Sequence, residues 1–86
     1  MNINELIATV KKKLCDQIII EKINIEDKSF LHKNHPGNQM GRFHLKIFIL
    51  SKELKNMSKI ESNKKIYKIL DHEMKEQVHS IQILID

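Results

Sequence analysis

The chain has 86 residues, 41% of them apolar, with fifteen basic against eleven acidic side chains and a net charge of +4. That length makes one small domain, 1–86, which buries little more than half the surface its unfolded form exposes, and no run of about 18 apolar residues is present to span a membrane as a helix. The single cysteine, Cys15, forms no internal disulfide, which fits a reducing cytoplasm, while the mostly lysine-borne charge permits contact with a nucleic acid or an acidic partner.

The first segment, MNINELIATVKKKL, is amphipathic and lacks the long apolar core and small-residue cleavage site of a secretory leader. Ile3, Leu6, Ile7, Val10 and Leu14 form one stripe of a helix over about 3–15, with Lys11, Lys12 and Lys13 in its last turn, where the dipole favours cations. IIIEKINIE, residues 18–26, is dense in β-branched residues and alternates at Ile23-Asn24-Ile25-Glu26, which predicts a strand. A loop spans about Lys28 to Gly41. FHLKIFIL then sets Phe43, Leu45, Ile47 and Ile49 against His44, Lys46, Phe48 and Leu50, a second strand that completes a hairpin with the first.

Ser51 caps a short helical turn through about Met57, and Ser58-Lys59-Ile60-Glu61 matches a capping box. The helix begun there is expected to run to about Lys75 with Ile66, Ile69, Leu70 and Met74 inward. VHSIQILI closes the chain as a third strand, with Ile81, Ile83 and Ile85 on one face and His79 in parity with them. The order is αββααβ. It predicts an α+β fold: a three-stranded mixed sheet with helices on one face, the last strand parallel to one hairpin strand because a helical crossover precedes it.

The hairpin loop gathers unusual residues. HKNHPGNQMGRFH, residues 32–44, holds three of the five histidines, the only proline and both glycines. Gly37 and Gly41 loosen the segment, while Pro36 biases His35 toward an extended backbone.

In order and spacing these features resemble the BolA family over nearly the whole chain. The carrying residues are Asp27-x-Ser29-x-Leu31-His32-x-x-His35-x-Gly37, then His44-x-Lys46 and Ser51. Ile66-Tyr67-x-x-Leu70 with Glu73 comes next, and Val78-His79-Ser80-Ile81 closes the set. The resemblance implies the family's KH-like topology. Two departures stand out: Ser62-Asn63-Lys64 occupies the place of a common Arg-His-Arg triplet, and Leu54-x-Asn56 that of Phe-x-Gly. The first bears on roles that need a basic triplet, nucleic-acid contact above all.

The resemblance also implies work in iron–sulfur metabolism, as the heterodimeric partner of a monothiol glutaredoxin that shares a 2Fe–2S cluster bound in part by glutathione. His79 matches the family's ligand at the start of the last strand, and the second ligand comes from the hairpin loop, as His32 or His35. Imidazoles suit such a role, since two histidines on one iron raise the cluster potential and exchange more readily than thiolates. Alone, the chain is expected to be a monomer without a stable cluster, because two ligands are too few for a cluster that takes four. His44 is read as structural and His72 as a surface residue.

The other reading is a DNA-binding regulator. Lys52, Lys55, Lys59, Lys64, Lys65 and Lys68 concentrate positive charge over the turn and the front of the long helix, so Lys55, Lys59, Asn63, Lys64, Lys65 and Lys68 are candidates for a nucleic-acid or partner surface. The region has no arginine for bidentate reading of guanine, and the turn Lys55-Asn56-Met57-Ser58 lacks the glycines of a KH clamp. No nucleophile–histidine pair, carboxylate pair or phosphate loop stands out, so the chain is read as non-enzymatic.

Overall fold

The computed structural model describes residues 2–29 and 43–86. The described residues form, in order, α1 (Ile3–Gln17), β1 (Lys22–Asp27), β2 (Phe43–Leu50), α2 (Lys52–Lys55), α3 (Lys59–Ile69), α4 (Asp71–Glu76) and β3 (Val78–Ile85). The strands form one mixed sheet of order β1-β2-β3, with β1 antiparallel and β3 parallel to the central β2. The α+β expectation holds, and the crossover places β3 beside the second hairpin strand.

One face of the sheet carries the core. The alternation of β2 buries Leu45, Ile47 and Ile49, which meet Leu6, Val10 and Leu14 of α1, Leu54 of α2, and Ile66 and Leu70 at α3. Truncating any one of these to alanine would cost about 2–5 kcal/mol. On the opposite face no helix among the described residues covers the sheet, and Phe48, Leu50 and Leu84 are exposed on it.

Two segments differ from the sequence reading. Ile18, Ile19 and Ile20 precede the first strand instead of opening it. Ile18 caps α1, its N–H donating to Leu14 O at 2.9 Å, and β1 begins only where Lys22 pairs with Leu50. Of the three, Ile18 is buried at 3% exposure, Ile20 packs half-buried and Ile19 is 73% exposed, so the hydrophobic density there belongs to a turn anchored by Ile18. The expected helix over 58–75 is two helices, parted at Leu70, whose φ of −96° and ψ of 17° leave the helical region. The turn keeps Leu70 in the core and re-aims α4, so Glu73 is fully buried while Met74 packs half-buried.

The capping expectations are met locally. Ser51 accepts from Leu54 N–H, just as Asn2, which the sequence reading did not single out, accepts from Glu5 N–H, and Ser58 accepts from Glu61 N–H at 3.1 Å. In the last, the Glu61 carboxylate reaches the Ser58 hydroxyl at 3.2 Å rather than its backbone N–H.

Candidate functional site

Asp27, Ser29, His44, His79 and Ser80, scattered along the sequence motifs, meet at the end of the sheet where the hairpin loop leaves and returns. Ser29 N–H donates to the Asp27 carboxylate at 2.9 Å, a local turn that fixes how the chain exits β1. The Ser29 hydroxyl then accepts from His44 N–H at 3.1 Å, and Lys28 N–H donates to His44 O at 2.7 Å. On the return side, Phe43 N–H donates to Gln77 O at 2.9 Å, joining the start of β2 to the residue before β3. Both feet of the loop are thus tied to the sheet next to the beginning of β3.

The histidines meet there. Phe43 pairs with Val78 and His44 with Ser80, so β3 carries one residue too many between the two pairs. That residue is His79. The bulge takes it out of parity with Ile81, Ile83 and Ile85, and its side chain is exposed where the sequence pattern alone suggested a half-buried one. Its ring lies 4.9 Å, centroid to centroid, from that of His44, tilted by 52°. His44 is 5% exposed and its Nδ1 is 2.7 Å from the Ser80 hydroxyl. A buried, hydrogen-bonded imidazole therefore backs an exposed one, and this is the structural role expected of His44.

Beside the pair, an open depression of about 330 Å³ is lined by Lys28, His44, Lys46, Ser80 and Gln82, with the edges of Leu45 and Ile81. Glu26 lies across from Lys46 in the ladder and bonds Lys28 at 2.8 Å. The hydrogen bond from Lys28 holds its carboxyl below the usual carboxylate range against the opposing effect of burial, with lesser help from the charges of Lys28 and Lys46.

His32 and His35 lie outside the described residues, as does most of their loop. Among the described residues no group of three histidine, cysteine, aspartate or glutamate side chains could hold a metal. His79 brings one borderline nitrogen donor, exposed and oriented by its neighbour. One imidazole nitrogen is a partial donor set for a metal, and the described residues add no second histidine with an exposed ring beside it. Cys15 is exposed at the end of α1 and His72 is exposed on α4.

The lysine-rich region is more constrained than its composition suggests. Lys65 pairs with Glu53 at 2.8 Å, and Lys55 is 3.8 Å from Asp86. The Asn63 amide is spent on Lys59 O at 2.7 Å. The Lys65 hydrogen bond, aided by one from Ile19 N–H, holds the Glu53 carboxyl below its ordinary range. Lys59, Lys64 and Lys68 are exposed and make no ion pair among the described residues.

One charged contact has no counterpart in the sequence reading. Glu73, 2% exposed, bonds Lys13 of α1 at 2.6 Å, sixty residues away. A signal existed: Glu73 stands seven residues after Ile66 and three after Leu70, on the stripe that faces the core.

The family model described as BolA-like protein matches residues 14–85. A curated relative from Haemophilus influenzae, the DNA-binding transcriptional regulator BolA, is 30% identical over 76 residues, covering 78% of this chain and 71% of its own length. Two solved structures from Arabidopsis thaliana show the same fold. The BolA domain of SufE1 has a TM-score of 0.77 at 24% identity, and BolA1 has 0.76 at 23%, each match covering 92% of this chain and 87% of the other.

Proposed function

This chain belongs to the BolA-like protein family, and from that premise we propose that it is a non-enzymatic partner of a monothiol glutaredoxin. In this reading it completes the coordination of a shared 2Fe–2S cluster for cluster trafficking or iron sensing. The observation that carries the reading is the exposed ring of His79, set at a strand bulge against the buried ring of His44, beside both feet of the loop that bears His32 and His35.

The chemistry rests on that arrangement. The cluster, bound between the two proteins, supplies redox-active iron. This chain's part is to present neutral imidazole nitrogen from two places. His79 projects from a rigid strand, its ring restrained by His44, which Ser80 in turn holds. The loop histidine, His32 or His35, supplies the second nitrogen. In this reading the partner and glutathione supply the remaining ligands, so loading needs the partner.

The test is reconstitution of a monothiol glutaredoxin with iron, sulfide and glutathione, with and without this chain, monitored by visible absorption and circular dichroism. The expected outcome is a spectrum distinct from that of the glutaredoxin alone, reverting to it with His79→Ala. Separate His32→Ala and His35→Ala variants identify the loop ligand. A spectrum that this chain leaves unchanged overturns the proposal.

A second reading is favoured by the name of the Haemophilus relative and by the exposed Lys59, Lys64 and Lys68: DNA binding through α2 and α3. It requires affinity that falls steeply with salt, by a log–log slope of roughly −2 to −3 for three phosphate contacts. Lys64→Glu with Lys68→Glu should abolish it while leaving the cluster spectrum intact.

No helix among the described residues is long and apolar enough to cross a membrane.

A further inference from the structure

Among the described residues the sheet has two outer strands, and of these β1 alone carries charged side chains. β1, KINIED, carries Lys22, Glu26 and Asp27. β3, VHSIQILI, has eight residues, no charge and no proline, although an apolar, uncharged edge invites pairing with another chain.

The hydrogen bonds show which backbone groups β3 leaves outward. Asp86 N–H donates to Ile49 O at 2.8 Å, and its carbonyl accepts from Ser51 N–H at 3.0 Å, so the backbone of residue 86 faces β2. Alternation along the strand then turns the backbone groups of Ile81, Ile83 and Ile85 away from β2. The Tyr67 hydroxyl stands 3.5 Å from Ile81 O, on that outer side. Among the described residues nothing else bonds these groups.

A helical wall rises along the same edge. Near the end of β3 a groove of about 380 Å³ runs between Leu84 and Ile85 on one side and Lys55, Met57, Lys59 and Asn63 on the other. Tyr67, 40% exposed, continues the wall along α3 beyond Asn63. The cleft therefore offers a ladder of outward N–H and C=O groups, apolar contacts, and ammonium groups at its rim. That combination recognises an extended peptide: the backbone pairs with the edge and carboxylates answer the lysines.

We infer that the outer edge of β3 is a docking site for an extended acidic peptide segment, which adds to the sheet as a fourth strand along Ile81–Ile85 with its carboxylates toward Lys55 and Lys59. The alternatives fit less well. A second copy of the chain paired two-fold on this edge would bring two lysine-bearing α3 helices alongside each other. A nucleic acid could use the lysines and bond single backbone groups, but it has no repeating main-chain amide donors and acceptors to extend the sheet ladder strand-fashion, and the test below separates the two. The inference is independent of the cluster proposal, since it involves neither His79 nor the hairpin loop.

The test uses the full chain, isotopically labelled, and an acetylated, amidated octapeptide alternating glutamate with valine. Amide resonances of Ile81, Ile83 and Ile85 should shift saturably, and their hydrogen exchange should slow by about tenfold or more. N-methylation of alternate peptide amides, which removes the donors without changing charge, should abolish the effect. Lys59→Glu, a surface change that leaves the fold intact, should weaken binding about tenfold together with Lys55→Glu. Four results would overturn the inference. They are no saturation by about 1 mM peptide, undiminished binding of the N-methylated peptide, a sedimenting dimer that protects the same amides without peptide, or an oligonucleotide that displaces the peptide from them.

Discussion

The two ends of the sheet both hold polar clusters, and they use their polar groups in opposite ways. At one end Ser51 is wholly buried: its hydroxyl donates to Ile19 O at 2.8 Å and accepts from Leu54 N–H at 3.2 Å. Glu53 takes Ile19 N–H at 3.2 Å and Lys65 at 2.8 Å, so the peptide groups around Ile19 are clamped from both sides. At the other end, Ser29, His44 and Ser80 are engaged with one another, yet His79 stands exposed and makes no hydrogen bond among the described residues. A cluster whose donors and acceptors are all spent on the protein holds the fold together. One that keeps an oriented nitrogen in reserve has something left to give a ligand, which is why the candidate site is at the loop end.

The largest effect expected from breaking this contrast is at the closed end. Ser51→Ala removes both the cap of α2 and the bond to Ile19 O, and should cost about 2 kcal/mol in urea unfolding, with the reconstituted cluster spectrum unchanged. Loss of the spectrum in a folded Ser51→Ala protein would show that the two ends are coupled. Ser80→Ala is next. It frees one bond of His44 and should cost about 1 kcal/mol, and it should also weaken the shared cluster, because the ring behind His79 loses its tether. His79→Ala should change stability by no more than about 0.5 kcal/mol while eliminating the spectral contribution of this chain. If it unfolds the protein instead, His79 belongs with Ser51 as a structural group, and the contrast fails.

Much of the fold was legible because it rests on local periodicity. The spacing of Leu6, Val10 and Leu14 and the alternation of Leu45, Ile47 and Ile49 each declare a buried face from a short window of sequence. The Ser58 cap is equally local. The features that escaped depend on partners distant in the chain. Ile18 to Ile20 look like a strand because apolar density does not distinguish a strand from a turn anchored by one buried side chain, and only the pairing of Lys22 with Leu50 marks where β1 starts. The exposure of His79 arises from a mismatch between two strands, Phe43 with Val78 and then His44 with Ser80, that neither strand shows alone. The Lys13–Glu73 pair joins α1 to α4 across sixty residues. For the candidate site, the resemblance supplied the residues, and the geometry supplied a reason for their grouping. His44 and Ser80 steady His79, while Asp27 and Ser29 set where the loop departs.

The Lys13–Glu73 pair sharpens the contrast from a third place. Glu73 is 3% exposed at its side chain and Lys13 is 40% exposed, so the two partners are not equivalent. Lys13→Ala strands a buried carboxylate whose second oxygen already has no partner among the described residues, and should cost more than the reciprocal Glu73→Gln, which leaves an ammonium able to reach water. The difference between the two variants, read from urea midpoints at neutral pH, should favour Glu73→Gln and lie between the Ser80→Ala and His79→Ala effects, below about 1 kcal/mol.

The smallest effect expected is a pH dependence at the closed end. The hydrogen bonds from Lys65 and from Ile19 N–H hold the Glu53 carboxyl below its ordinary range. A depressed carboxylate contributes stability that is fully present above the unfolded-state value near pH 4 and is lost as pH falls through the folded-state value. Glu26, held down chiefly by Lys28, acts with the same sign at the loop end. Both groups are solvent-screened, so each share is small. Glu53→Gln should therefore unfold at nearly the parent's urea midpoint once the pH is below about 3, and fall behind it as the pH rises to neutrality. It should do so more than Glu26→Gln, since Glu53 also fixes the Ile19 backbone and Glu26 holds only side chains at an end built to stay open. A Glu26→Gln variant with the steeper acid profile would place the greater electrostatic dependence at the loop end, and the division between a closed end and an available one would then have to be redrawn.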